Sequence, residues 1–106
     1  MTTYNPSPNP KTATLAGGVD CWILPADATG RVYVLNQSSS LAAVKAGYGT
    51  AAGDVTDPTL NGDGCMPVPA GTGRWIHTRT ATPPLGKSII VKVIGTGVIT
   101  VELVAA

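Results

Sequence analysis

The sequence of 106 residues contains no phenylalanine and only one histidine, and 12% of its residues are charged. An average globular protein carries about 25% charged residues, so threonine, serine, asparagine, glycine and alanine must form most of this surface. The net charge is +1 and no basic stripe is present, which argues against a nucleic-acid partner. A surface with few ions loses little hydration when it is covered, so the composition fits burial against another protein as well as a neutral soluble domain.

The chain also lacks long apolar segments. No run of about 18 apolar residues exists, so no membrane span is predicted. The N-terminus is polar and proline-rich without the apolar segment of a signal peptide, so we expect synthesis in the cytoplasm without export. Cys21 and Cys65 are the two cysteines, and in that compartment reduced thiols are favoured, while pairing after release stays open.

The sequence offers few candidate catalytic residues. His77 is the one histidine that could act as the base of a nucleophilic triad, and no Gly-x-Ser-x-Gly turn supplies a nucleophile. The cysteines lack the paired spacing of a zinc site. Three aspartates could gather round a cation, although no complete calcium-loop pattern arranges them: Asp54, Asp57 and Asp63. We therefore predict that the protein is not an enzyme and that it holds no metal or cofactor.

Residues 1–14 are predicted to form an extended N-terminal arm. Three prolines alternate with polar residues there, and each fixes its own φ and holds its predecessor in extended geometry. Such a segment loses little entropy on docking, so the arm is interpreted as a strap that binds a partner. The alternative interpretation is a disordered tail. The candidate partner-binding residues of the arm are Tyr4, Asn5, Pro6, Pro8, Asn9 and Pro10.

Residues 15–106 are predicted to form a single β domain. The runs 19–24 and 31–36 are rich in β-branched and aromatic residues and are separated by a turn signal, which predicts neighbouring strands. Residues 41–45 fit either a strand or one helical turn.

Residues 46–73 contain seven glycines and three prolines, which predicts a long loop region with one short strand near 65–68. Residues 73–79 predict a further strand, with Trp75 and His77 on one face and Arg74 and Ile76 on the other.

The C-terminal residues predict a hairpin. Two alternating runs, 88–94 and 98–104, flank Gly95-Thr96-Gly97, and a three-residue loop there places both apolar faces on the same side. The opposite face carries Lys92 and Glu102 and is expected to be partly solvated. The fold class predicted from these elements is all-β, a small antiparallel β-sandwich or barrel with an extended N-terminal arm.

Two roles are considered for three large aromatic residues. Trp22, Tyr48 and Trp75 could form a platform on which a sugar ring stacks. Anchoring of a core without phenylalanine is the favoured role.

Taken whole, the chain resembles small virion proteins of tailed bacteriophages, in particular head decoration or cement proteins. The resemblance is carried by the arm TTYNPSPNPKTAT, by the neutral Gly/Ala/Thr-rich β domain, and by the strand pieces GRVYVLNQ and PAGTGRWIHT. Similar pieces occur in phage fibre and tail modules.

The resemblance implies a structural protein without catalytic activity. It would bind the major capsid protein on the outside of the assembled shell, often as a homotrimer, and the arm would lie across a neighbouring subunit. The alternative is a carbohydrate-binding or fibre or tail module of a phage particle that uses the three aromatic residues.

Overall fold

The computed structural model describes residues 1–76 and 79–105. Seven strands form one mixed sheet: β1 (Thr3–Tyr4), β2 (Lys11–Ile23), β3 (Gly30–Asn36), β4 (Ala42–Gly49), β5 (Met66–Val68), β6 (Gly73–Trp75) and β7 (Ser88–Ala105). A single 3₁₀ turn, Ala52–Asp54, follows β4. These residues include no α-helix, so the all-β prediction is confirmed. All pairings are antiparallel except that of β1 with β2, which is parallel.

Strand β7 is the centre of the sheet and runs without reversal for 18 residues. β2 pairs with one side of β7, from Lys11 opposite Val101 to Ile23 opposite Ile90, with an interruption at the bulge. On the other side, β4 pairs with residues 88–94 and β3 with residues 99–105. The predicted hairpin is therefore wrong: Thr96 and Gly97 continue the strand, because Ala16 and Leu15 of β2 are their partners.

The sheet bends at a β-bulge in β2. The register with β7 shifts between Ala16 and Val19, and Gly17 has a φ of 90°, a conformation that glycine adopts readily. The sheet has two halves: one contains β4, β5 and residues 88–94 of β7, and the other contains β3, β6 and residues 99–105 of β7. Bulges bend a strand and increase its twist, so the two halves turn one face toward a common interior.

One hydrophobic core fills that interior. Five odd-numbered residues of β7 belong to it, as alternation requires: Ile89, Val91, Val93, Ile99 and Val101. They pack with Trp22 of β2 and with Val32 and Val34 of β3, all of them fully buried. The two halves of the sheet are also tied together by side chains, because Asn36 donates to the carbonyl of Val68 (2.9 Å) and Arg74 to that of Pro67 (3.1 Å).

A second, smaller cluster covers the opposite face of one half. Val55, in the segment after the 3₁₀ turn, packs against Cys21, Ile23 and Ile90. The partly solvated face predicted for this half is therefore wrong, since Lys92 is buried there and pairs with Asp57.

The structure also decides the predictions for several shorter segments. The runs 19–24 and 31–36 are not neighbours, because β7 lies between β2 and β3. Residues 42–45 of the undecided segment belong to strand β4, which continues to Gly49, so regular structure enters the predicted loop region. The short strand near 65–68 is confirmed as β5.

The strand predicted over 73–79 is shorter in the structure, because β6 spans Gly73–Trp75 and Ile76 already lies outside it. His77 and Thr78 lie outside the described residues. Ile76 is buried and Trp75 is exposed, but Arg74, which was predicted to share the face of Ile76, is exposed as well.

Candidate functional site: an exposed aromatic patch

The outer face of β3 and β6 carries a cluster of three side chains, Arg31, Tyr33 and Trp75, here called the aromatic patch. Val32 and Val34 of β3 face the core, so alternation turns Arg31 and Tyr33 outward. Trp75 is the register partner of Tyr33 across the β3–β6 pair and therefore projects on the same side.

The rings of the patch hold one another in place. The centroids of Tyr33 and Trp75 are 4.9 Å apart in an edge-to-face arrangement, with planes at 63°. The Arg31 guanidinium carbon lies 5.1 Å from the centre of the Trp75 ring, within range of a cation–π interaction. Trp75 nevertheless remains 40% exposed. The patch is thus ordered and open to solvent at the same time.

Gly73 makes room for this arrangement. A Cβ atom at Gly73 would overlap the hydroxyl and ring of Tyr33. A side chain there would displace Tyr33, and with it the edge that supports Trp75.

The patch lies on a sheet surface with few charges that continues across β7 to β2. Glu102 is the register partner of Tyr33 on the other side of β3, and Thr100 pairs with Leu35 and Thr12. The hydroxyls of Thr12 and Thr100 lie 2.7 Å apart. Among the described residues, the outer face of this half of the sheet is formed by side chains that are all at least partly exposed: Thr12, Thr14, Arg31, Tyr33, Leu35, Trp75, Val98, Thr100, Glu102 and Val104.

The three predicted platform aromatics are not brought together. Trp22 is fully buried in the core, where its indole donates to the carbonyl of Lys11 (3.2 Å). Tyr48 lies on β4, which pairs with the other half of β7. Of the three, Trp75 alone belongs to the patch, and its companions there are Arg31 and Tyr33.

The N-terminal arm is bound to its own domain. β1 pairs with Cys21 and Trp22 of β2, and the two carboxylate oxygens of Asp20 accept hydrogen bonds from the Thr2 amide and the Tyr4 hydroxyl, both 3.1 Å. The Tyr4 ring packs 5.3 Å from that of Trp22. Burial, and next the negative charge of Asp20, raise the pKa of Tyr4.

Further along, the arm crosses to the other half of the sheet. The Ser7 amide donates to the carbonyl of Ile23 (3.2 Å), and Ser7 is buried. The Asn9 side chain donates to the Leu103 carbonyl (2.7 Å) and accepts from the Leu103 amide (2.8 Å), so it replaces a backbone partner of β7. Residues 11–14, predicted as arm, are the first part of β2, because alternation buries Ala13 and Leu15 against β7.

The remaining predicted arm residues face solvent. Asn5, Pro6, Pro8 and Pro10 are exposed, and the peptide bonds Asn5–Pro6 and Asn9–Pro10 are cis. Tyr4 and Asn9 therefore hold the arm in place, while the other four present its outer surface.

A cleft of about 320 Å³ lies along β2, between the N-terminus and the bulge. Met1, Thr2 and residues 14–16 and 18–20 line it. Its one ionisable side chain, Asp20, already accepts the two hydrogen bonds from the arm. The carboxylate of the cleft is therefore already engaged by the arm.

The aspartates considered as metal ligands have separate roles. Asp54 accepts hydrogen bonds from the amides of Thr50 (2.8 Å) and Ala51 (3.1 Å), which lower the pKa of its carboxyl. Asp57 pairs with Lys92 at 2.8 Å, and Asp63 is exposed. Across residues 1–76 and 79–105, no three histidine, cysteine or acidic side chains are grouped to hold a metal ion.

The cysteines are both free thiols. Cys21 is buried, and burial raises the pKa of its thiol. Cys65 is partly exposed. The sole candidate for a catalytic base, His77, lies outside the described residues.

Sequence reasoning found one member of the patch and missed two. Arg31 and Tyr33 lie in a correctly predicted strand, and their alternation with Val32 and Val34 already placed them on one face. The missing information was the pairing of β3 with β6, which joins residues some 40 positions apart in the chain.

Residues 1–76 and 79–105 contain no helix that could serve as a membrane span. Comparisons with protein-family models, with curated proteins and with solved structures find no significant match. The fold and the candidate site therefore rest on the contacts described above.

Proposed function

We propose that the protein is a structural component of a virus particle that binds the outside of an assembled capsid and stabilises it without catalysis. The aromatic patch is the observation that carries this proposal. Tryptophan, tyrosine and arginine are the residue types most enriched where protein interfaces gain most of their binding energy. Trp75 is exposed but already held by Tyr33 and Arg31, so little side-chain freedom is lost on binding.

The surroundings of the patch support a protein partner. The neighbouring outer face of β7 and β2 offers threonine and valine side chains and one charge, Glu102, so a partner can cover it with little loss of ion hydration. The resemblance to decoration proteins names the partner: the major capsid protein, at sites where its subunits meet, with this chain present as a homotrimer.

The exposed side of the arm is a second surface that is proposed to contact the capsid. Asn5, Pro6, Pro8 and Pro10 form a rigid surface that can contact a neighbouring subunit while Tyr4 and Asn9 keep the arm docked. A strap that left its own domain would have to break the contacts to Asp20 and Leu103 first.

Copy number is the first test. Quantitative mass spectrometry of purified virus particles should find this chain in a simple ratio to the major shell protein, at hundreds of copies per particle. A handful of copies would support a fibre or tail part instead, and complete absence from particles would contradict the proposal.

Binding to empty shells tests the patch. The wild-type protein should co-sediment with shells that lack this chain. Trp75→Ala should weaken binding by about 30-fold, as expected for loss of a central aromatic side chain. Tyr48→Ala is the matched control, because Tyr48 is also 40% exposed but lies on β4, in the other half of the sheet. Equal binding by Trp75→Ala and Tyr48→Ala would exclude the patch as the contact.

A carbohydrate-binding module of a fibre or tail is the second candidate function. The exposed ring of Trp75 favours it, because a sugar can stack on an aromatic face while Arg31 and Glu102 hydrogen-bond to its hydroxyls. A glycan array separates the two functions. Binding to a sugar that Trp75→Ala abolishes supports the second, and a blank array supports the first.

A further inference from the structure

We infer that the protein forms a two-fold dimer in which the exposed edge of strand β2 pairs with the same edge of a second copy. The pairing goes beyond the proposed function and does not depend on it. β1 covers β2 only at Cys21 and Trp22, so the earlier part of β2 lies at the edge of the sheet. Residues 12–16 of this edge are here called the open edge.

The pairing of β2 with β7 shows which way the backbone groups of the open edge point. The Asn9 side chain occupies both the amide and the carbonyl of Leu103, so Leu103 turns these groups toward the β2 side. Backbone direction alternates along a strand, so Ile99 turns the same way and bonds to its partner Ala13. The residues that alternate with these turn their amides and carbonyls away from β7: Thr12, Thr14 and Ala16.

The chain itself does not cover the open edge. Over residues 1–76 and 79–105, the hydrogen bonds outside the β2–β7 pair include none to the backbone of Thr12, Thr14 or Ala16. All three residues are exposed, and the open edge contains no charge and no proline. Natural sheets usually protect an edge with lysine, proline or an inward-pointing charge. An edge without these features is a template for a further strand, because its amides and carbonyls are spaced to bind an extended backbone.

A second copy supplies the best-matched strand. Among the described residues, the other strands at the ends of the sheet are β1 with two residues and β5 and β6 with three each. The part of β4 that β5 leaves uncovered carries Lys45, Gly47 and Gly49, and such residues protect or weaken an edge. The open edge therefore fits itself better than any of these, and an interface between identical surfaces is two-fold. The pair departs from the homotrimer that the resemblance to decoration proteins implies.

Antiparallel pairing centred on Thr14 uses every open backbone group. Thr14 then lies opposite Thr14 of the second copy, and Thr12 lies opposite Ala16. Each of these residues exchanges two hydrogen bonds with the residue opposite. Any other register leaves at least one of the three without a partner. The side chains that meet are small and uncharged, and cross-strand threonine pairs are favourable.

The cleft along β2 adds charge complementarity to this register. The pairing places Lys11 of one copy opposite Gly17 of the other, beside the cleft in which Asp20 is the ionisable side chain. Lys11 and Asp20 have opposite charges, and each copy presents its lysine to the cleft of the other. The edge thus matches its own copy in charge as well as in backbone groups.

The test compares wild type, Thr14→Lys, Thr14→Glu and an equimolar mixture of the two variants by sedimentation equilibrium at rising protein concentration. Wild type should approach twice the 10.7 kDa mass of one chain. Each variant places like charges opposite each other at the two-fold axis and should dimerise about fivefold more weakly. In the mixture lysine faces glutamate, so dimers should form as well as in the wild type. Thr82→Lys is the control, because Thr82 is an exposed threonine of the loop before β7.

Recovery in the mixture identifies the contact, because two variants that fail to fold cannot restore each other. A wild type that stays monomeric, or that forms trimers, overturns the inference. A dimer that the Thr14 variants leave unchanged, or that the mixture does not restore, overturns it as well. If wild type is monomeric and Thr14→Lys loses binding to empty shells, the open edge belongs to a strand of the shell protein instead. The mass measurements involve no shells, so a failure of the proposed function leaves their result unaffected.

Discussion

The ion pair between Lys92 and Asp57 gives an asymmetric prediction for stability. The Lys92 side chain is 4% exposed, whereas that of Asp57 is 62% exposed, and their charged atoms are 2.8 Å apart. Asp57→Ala removes the carboxylate that pairs with the buried ammonium group, and breaking a buried pair from one side costs about 3–5 kcal/mol. Because water reaches Asp57 and can partly replace it, we reduce the expected loss of unfolding free energy to about 1–3 kcal/mol.

Removing the lysine should cost less. Lys92→Met keeps the aliphatic stem in contact with the sheet and leaves Asp57 as an exposed carboxylate that water solvates. We expect a loss below about 1 kcal/mol, and the double variant should resemble Lys92→Met, because no buried charge remains to be satisfied.

Urea denaturation followed by circular dichroism measures both effects. A loss of 1–3 kcal/mol corresponds to a fall in the midpoint of about 1–2 M urea at an unchanged slope. If Lys92→Met were as destabilising as Asp57→Ala, or more so, the loss would come from packing and the electrostatic argument would be refuted.

Three further predictions concern the arm, the thiols and acid stability. Asn9→Ala removes both hydrogen bonds to Leu103 and should lower the unfolding free energy by about 1–2 kcal/mol; a thermal melt indistinguishable from wild type would contradict this. A thiol reagent should titrate Cys65 in the native protein and reach Cys21 only after unfolding; immediate reaction of both would show that Cys21 is accessible. Asp54 has its pKa lowered by two backbone amides, so its stabilising contribution is present above the unfolded pKa and is lost as pH falls through the folded value. In Asp54→Asn, stability should therefore depend less on pH between about pH 5 and pH 2, and parallel wild-type and variant profiles would disprove it.

Alternation along β7 identified the core side chains but could not reveal the path of the chain. A three-residue loop and a continuous strand both keep Ile89 and Ile99 on the same face, because each leaves an even number of steps between them. The deciding information lies in β2, whose residues 11–16 pair with the segment predicted as the turn and the strand after it. Pairing between distant segments is absent from a local pattern, so the fold class was predictable and the topology was not.

The same limit applied to the site. Trp22 and Trp75 both lie in strands and belong to the same residue type, yet one is fully buried and the other is 40% exposed. Their difference depends on which face each strand turns inward once β7 and β3 are in place. The face that carries Lys92 was expected to be partly solvated, but Lys92 is buried. The residues that cover it come from the loop 50–57 and not from the sheet.

The position of β7 has a consequence for synthesis on the ribosome. β2, β3 and β4 pair with β7 and not with one another, yet β7 follows all of them in the chain. Until β7 emerges, these three strands have no partner for most of their backbone groups, and their apolar faces stay open. We therefore expect late, slow folding of the kind associated with high contact order, and a nascent chain that is most prone to aggregation just before its last strand arrives.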